Sequence, residues 1–179
     1  MTDAETERAQ GSPLWRFSLG FYRQPGVADT CIALQDECGV DVNVLMLFLW
    51  LATQHKEITP GEVRTVWQQA APWRDRVVAP LRGVRRDLKA GVPLVAYDAA
   101  AFFRTRIKAI ELESERLEQE ALFAMLPSIE TVGAPSIEAA ARANVLAYEQ
   151  ALAAAFTPGA LENLFAALAT FVQSDGGGS

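Results

Sequence analysis

The sequence contains few of the residues that most often hold metals or form disulfides. Its 179 residues include one histidine, His55, and two cysteines, Cys31 and Cys38. No CxxC or HxxxH spacing surrounds them, so no metal site is predicted. On a single helix Cys31 and Cys38 would lie two turns, roughly 10 Å, apart, whereas a disulfide needs Cα atoms within about 7 Å. We therefore expect two free thiols in a reduced, cytoplasmic chain.

Catalytic motifs are also absent from the sequence. There is no glycine-rich phosphate loop, no GxSxG turn and no HExxH helix. A catalytic histidine needs a nucleophile or an orienting carboxylate, and the sequence indicates neither for His55. We interpret His55 as a surface or helix-capping residue, and we predict no catalytic residue and no cofactor.

No hydrophobic run is long enough for a transmembrane helix. The most apolar stretch, DVNVLMLFLWLA at 41–52, would span about 18 Å as a helix, against a hydrocarbon layer of about 30 Å. Residues 1–12 are polar and acidic, unlike a signal peptide, and we expect a disordered N-terminal arm there. The net charge of −6 and the lack of a long basic block make nucleic acid an unlikely partner.

Apolar residues repeat with a period close to 3.6 almost throughout the chain, which is typical of amphipathic helices. This pattern predicts an all-α, single-domain bundle of seven or eight helices at 13–173, followed by a flexible Gly/Ser tail at 174–179. The stretch at about 41–55 is apolar nearly all round, so it is predicted to be the buried central helix. Ala71-Pro72 predicts a break or kink.

Two polar residues open the predicted central helix. Asp41 suits an N-cap, and Asn43 would then lie in the first turn. The alternative interpretation is a ligand site at the start of the central helix, built from Asp41 and Asn43 with nearby side chains such as Trp73 and Arg74.

A basic face follows Trp73. Arg82, Arg85, Arg86 and Lys89 share one arc of a predicted helix. Such a cluster suits a phosphate or an acidic partner. The long helix predicted at 98–126 carries acidic residues, so the basic face is also expected to pair with Glu111–Glu120, within the molecule or across a dimer.

The same long helix contains a heptad seam with one polar interruption. Its members are Phe103, Ile107, Ile110, Ser114, Leu117, Ala121 and Ala124.

Three stretches resemble a family of small, chiefly proteobacterial proteins that is catalogued as a domain of unknown function. They are Leu14-Trp15-x-Phe17-Ser18, Asp41-Val42-Asn43 and the run from Trp73-Arg74 to Pro80-Leu81-Arg82. The resemblance covers about residues 13–125 and implies a cytoplasmic helical protein. It implies no activity, substrate or functional residue.

Three functional hypotheses follow from these features. The first is a non-enzymatic adaptor or regulatory protein that binds a partner protein, or itself, through the seam and the 82–89 basic face. The alternative is a small helical enzyme or ligand carrier with its site near Asp41 and Asn43. The third is weak phosphate or nucleic-acid binding by the basic face, which would depend steeply on salt.

Overall fold

The chain folds into an all-α bundle, which confirms the predicted fold class. The computed structural model describes residues 11–176, with side chains described up to residue 174. The helices are α1 (Pro13–Tyr22), α2 (Val27–Cys38), α3 (Val42–Thr53), α4 (Pro60–Trp73), α5 (Ala79–Ala90), α6 (Tyr97–Met125), α7 (Ile137–Leu152) and α8 (Pro158–Gly176). The remaining elements are a π-helical turn (Arg74–Val78), a 3-10 turn (Leu126–Ser128) and the strands β1 (Lys56–Ile58) and β2 (Thr131–Gly133).

Most of the predicted N-terminal arm, and the end of the predicted tail, lie outside the described residues. Residues 174–176 belong to α8, whereas the sequence predicts that the tail begins at residue 174. Within residues 11–176, no helix combines the length and the apolar character that crossing a bilayer requires.

Helix α3 is the buried central helix, as predicted. Nine of its 12 residues are buried, and Phe48 has no exposed surface. Asp41 is its N-cap, because the Oδ1 atom accepts hydrogen bonds from the backbone N–H groups of Asn43 (2.9 Å) and Val44 (3.4 Å). Helices α1, α6 and α7 pack around α3, and Asp41 at its N-terminal end is 5% exposed.

A break or kink is predicted at Ala71-Pro72, and the break does not occur. Helix α4 continues through Pro72 and passes directly into the π-helical turn and then into α5. A helix can accommodate a proline by changing its hydrogen-bond register locally, and a π-helical turn is one such change. The consequence is a single helical path from residue 60 to residue 90, which carries Arg74 past the start of α3.

Two short strands lie beside the central helix, and the apolar periodicity of the sequence does not predict them. β1 and β2 pair antiparallel, with Lys56 opposite Gly133. Three residues are too few to display an alternating pattern, so tertiary contacts must identify such strands. Asn144 on α7 supplies one of these contacts, since its Oδ1 accepts from the N–H of Ile58 at 2.8 Å.

The longest helix, α6, matches the prediction for 98–126, but its seam is divided between core and solvent. Ile107 and Ser114 are buried, whereas Phe103, Ile110 and Leu117 are 47%, 52% and 44% exposed. The rest of the domain lies along the face of α6 that carries these two seam residues, and the buried polar residues of that face are Glu111, Ser114, Glu118 and Gln119. That face is occupied because its polar groups find partners on α3 and α5.

Candidate functional site

A buried polar cluster lies at the N-terminal end of α3, inside an otherwise apolar core. Asp41, Asn43, Glu118 and Gln119 are each 7% exposed or less. The Asn43 side chain connects the two helices: Nδ2 donates to Glu118 Oε2 at 2.7 Å, and Oδ1 accepts from Gln119 Nε2 at 2.9 Å. One amide therefore fixes the position of α6 relative to the start of the central helix.

Tyr148 holds the loop that carries Asp41. Its hydroxyl accepts from the backbone N–H of Asp41 at 2.9 Å and donates to the backbone carbonyl of the same residue at 3.3 Å. The ring is completely buried and packs edge-on against Phe48 and Trp67. The backbone at Asp41 is therefore tied to α7 as well as capping α3.

Arg74 reaches the cluster from the π-helical turn. Its Nη1 atom lies 3.8 Å from Asp41 Oδ2, and its guanidinium stacks 3.6 Å from the centre of the Trp67 ring. The other edge of the guanidinium binds Asp75, with Nε donating to Oδ1 at 2.9 Å. Stacking and ion pairing together restrict Arg74 to one orientation beside Asp41.

The carboxyls of Asp41 and Glu118 interact directly and favour one shared proton. Burial and the neighbouring Asp41 charge raise the pKa of Glu118 to about 9. Burial also raises the pKa of Asp41, while its contacts to Glu118, Arg74 and the backbone N–H groups of α3 oppose that rise. Two carboxyls in contact inside a core cannot both ionise cheaply, so we assign the proton to Glu118 at neutral pH.

Some polar atoms of this cluster have no hydrogen-bond partner among the described residues. They are Asp41 Oδ2, Arg74 Nη1, Glu118 Oε1 and Gln119 Oε1. A proton shared between Asp41 and Glu118 accounts for one oxygen of each carboxyl. Arg74 Nη1, which is a donor, and Gln119 Oε1, which is an acceptor, are not explained by that proton.

A cleft of about 410 Å³ opens beside Asp41, between the end of α2 and the helical path 74–86. Its lining side chains include the cations Arg74, Arg82 and Arg86 and the anions Asp36, Asp41 and Asp75. Because these charges balance, the cleft is better suited to a neutral or zwitterionic molecule than to a phosphate.

The structure brings together residues from both sites considered from the sequence. Asp41, Asn43, Arg74, Arg82 and Arg86 all line this cleft.

The other three predicted site residues lie elsewhere. The indole of Trp73 donates to the carbonyl of Ser114 at 3.0 Å and is 38% exposed. Arg85 binds Glu111, and Lys89 is exposed on α5. None of the three belongs to the lining of the cleft.

The basic face is largely paired within the molecule. Arg82 binds Glu111 at 3.2 Å and Glu115 at 2.8 Å, and Arg85 forms two hydrogen bonds to Glu111. Arg86 reaches Asp36 on α2 at 2.6 Å. Of the alternatives open at the sequence level, the structure therefore shows intramolecular pairing for Arg82 and Arg85 with the acidic part of α6.

Sequence reasoning missed two members of the buried cluster, Glu118 and Gln119, and two residues that contact it, Trp67 and Tyr148. A signal for Glu118 was present, because Ile107, Glu111, Ser114, Glu118 and Leu122 recur at spacings of three and four and so share one helical face. The sequence predicts that the glutamates of this helix pair with the basic face at 82–89; Glu111 does so, whereas Glu118 is bound by Asn43. Their partners, Arg82, Arg85 and Asn43, are at least 26 residues away in the sequence.

His55, the only histidine, lies away from the cluster. It is exposed just beyond α3 with a φ of 55°, and it lines a second cavity of about 460 Å³ between α7 and α8. Within the described residues, no three or more His, Cys, Asp or Glu side chains are grouped so that they could hold a metal ion.

Two of the three stretches that carry the family resemblance meet at the cluster and its cleft. Arg74 lies beside Asp41, and Asn43 and Arg82 line the same cleft. The family model matches residues 13–122, more than half of the chain. The chain belongs to the family DUF2390, described as a protein of unknown function.

The DUF2390 match ends within α6, so it contains Asp41, Asn43, Arg74 and Glu118 but not Tyr148. Helices α7 and α8 lie outside the match. Searches of curated proteins and of solved structures found no match to the chain.

Proposed function

We propose that this DUF2390 protein is a non-enzymatic, cytoplasmic adaptor or regulatory protein that binds another protein through the tip of the α5–α6 hairpin. The tip consists of the linker between the two helices and the adjacent turns. Its apolar members are Val92, Leu94, Val95, Tyr97 and Phe102, and its cations are Lys89, Arg104 and Lys108.

The observation that carries the proposal is the exposure of large apolar side chains at the tip. Leu94 is fully exposed, and Tyr97 and Phe102 are 74% and 71% exposed. Single exposed apolar residues are ordinary, but a contiguous patch with aromatic members is typical of a binding surface. Residues 91–99 are all exposed, so the linker presents its apolar side chains to solvent.

The charges around the tip indicate the chemistry of the partner. Among the described residues, Lys89, Arg104 and Lys108 form no ion pair. A protein surface that combines apolar side chains with carboxylates would complement them. The basic face is less suited to this role, because Arg82, Arg85 and Arg86 already bind Glu111, Glu115 and Asp36.

Partner capture with tip variants tests this proposal. The double variant Leu94→Asp, Phe102→Asp should no longer capture a partner protein that the parent captures in stoichiometric amount. Leu146→Asp is the matched control, since Leu146 is 54% exposed on α7, away from the hairpin. Equal capture by the parent and the tip variant would contradict the proposal. So would a parent protein that binds anionic lipid vesicles through the tip and captures no partner protein.

A second candidate function, a ligand carrier or a small enzyme, is favoured by one observation at the cleft. Arg74 lines the cleft, and its Nη1 atom has no hydrogen-bond partner among the described residues. A carbonyl or hydroxyl oxygen of a small neutral molecule would accept a hydrogen bond from this atom. Extra mass in native mass spectrometry of the purified protein would support a retained ligand. This candidate is excluded if the parent protein shows no extra mass and if no small molecule stabilises the parent and the Arg74→Gln variant to different extents.

A further inference from the structure

An apolar row runs along the solvent side of α6. It consists of Phe103, Ile110, Leu117 and Ala124, which follow one another at intervals of seven residues. All four are exposed, three of them by 44% or more. At about 1.5 Å per residue the row is roughly 31 Å long, which is the length of three heptads.

Charged residues follow the row at the same interval. Arg106, Glu113 and Glu120 also lie seven residues apart and border one side of the row on a helical wheel. If two copies of α6 packed parallel along the row, these charges would lie on opposite sides of the pair and would not meet one another. If the copies ran antiparallel, the charged sides of the two rows would face each other with the order reversed in one copy, so opposite charges would meet.

We propose that a second copy of this chain binds along the row, with the two α6 helices antiparallel. A two-fold axis near residues 113 and 114 places Ile110 against Leu117, and Phe103 against Ala124, of the second copy. The same axis places Arg106 beside Glu120 twice. Glu113 meets its counterpart at the axis, where each carboxylate is already bound by its own Arg116 at 2.7 and 2.9 Å.

This antiparallel pairing explains the order of the charged residues along α6. Cations near the start of a helix and carboxylates near its end oppose the helix dipole, at about 0.3–1 kcal/mol per charge. Glu111 and Glu115 are compensated by α5 within the molecule. Arg106 forms no ion pair within the described residues, and antiparallel self-association supplies its carboxylate.

Cysteine cross-linking tests the orientation directly. In a Cys38→Ser background, which leaves only the buried Cys31, a mixture of Arg106→Cys and Glu120→Cys should form disulfide-linked dimers. Glu113→Cys alone should cross-link to itself near the axis, whereas Arg106→Cys alone and the control Leu146→Cys should not. Cross-linking of Arg106→Cys to itself would contradict the antiparallel register and overturn the proposal.

The mass in solution provides the second test. The parent protein should be a dimer by light scattering, and Ile110→Glu with Leu117→Glu should weaken dimerisation by at least about a hundredfold, since two carboxylates would be buried in an apolar seam. Leu146→Glu should leave the dimer intact, and circular dichroism should show that all variants fold. A monomeric parent, or a dimer that survives the double substitution, would overturn the self-association.

The row excludes the tip residues, so this inference does not depend on partner capture by the tip. If the parent protein is a monomer and the tip variant still loses the partner, self-association along the row is rejected and the proposed function stands.

Discussion

At the scale of single residues, the amide of Asn144 joins three segments of the core. Its Nδ2 atom donates to the carbonyls of Phe48 and Lys56, both at 3.0 Å, and its Oδ1 atom accepts from the N–H of Ile58. The side chain is completely buried. Without it, three backbone groups would have to find other partners in a dry environment, which is costly.

We therefore expect Asn144→Ala to lower the free energy of unfolding by roughly 2–4 kcal/mol. Urea denaturation followed by circular dichroism measures the change. Gln150→Ala on the same helix is the matched control, because Gln150 is exposed. A loss for Asn144→Ala no larger than that of the control would show that the three backbone groups do not rely on this amide.

Glu118 gives the protein a characteristic pH dependence. Its pKa is raised to about 9 by burial and by the charge of Asp41, whereas a glutamate in an unfolded chain has a pKa of about 4.3. Between these values the native state keeps a proton that the unfolded state has released, so stability falls as the pH rises through this window. Arg74 and Tyr148 also face the pair and belong to the same electrostatic unit.

Glu118→Gln should flatten this dependence, because a glutamine amide can donate to Asp41 as the protonated acid does. The urea midpoint of the parent should fall between about pH 6 and about pH 9, while that of the variant should change less. Glu113→Gln is the control at an exposed carboxyl, whose pKa the hydrogen bond from Arg116 lowers. Parallel pH profiles for the parent and Glu118→Gln would contradict a protonated Glu118.

At the scale of elements, α5 is attached to the domain differently from α3. None of its residues is buried, and its main polar attachment is the pairing of Arg82 and Arg85 with Glu111, which is 5% exposed. Ion pairs of this kind are weaker than apolar burial when one partner is in contact with solvent. The hairpin is therefore expected to open locally without unfolding of the whole domain.

Glu111→Ala should detach α5 selectively. It removes the shared partner of two arginines, and amide hydrogen exchange in residues 79–90 should accelerate by roughly tenfold or more, which corresponds to about 1.4 kcal/mol. Exchange in α3 should change little. The control is Glu113→Ala, which breaks only an exposed pair with Arg116. Equal acceleration in α3 and α5 would indicate global destabilisation instead.

At the scale of the whole molecule, α3 organises one continuous core. Phe48 lies in that core without exposed surface, and its ring meets Tyr148 of α7 edge-on at 5.2 Å. Helices from both sides of the end of the DUF2390 match therefore share one hydrophobic cluster, which contains Leu122 of α6 and Val145 of α7.

Phe48→Ala should lower the free energy of unfolding by about 3–5 kcal/mol, because a cavity replaces a fully packed ring. Leu146→Ala, at an exposed position of α7, should stay within about 0.5 kcal/mol of the parent. Calorimetry measures both. If α7 and α8 formed a separate unit, Phe48→Ala would produce two transitions in place of one shifted transition.

The sequence by itself determined the helical fold, the central helix and its Asp41 cap, because apolar periodicity and capping are local properties of the chain. It also suggested that basic and acidic segments pair. Only the tertiary structure decided that Arg74 meets Asp41 and that Asn43 binds Glu118, 75 residues away. It also decided which row of the α6 seam faces solvent. Burial of a carboxyl depends on partners from distant segments, and no local pattern specifies where a chain brings them together.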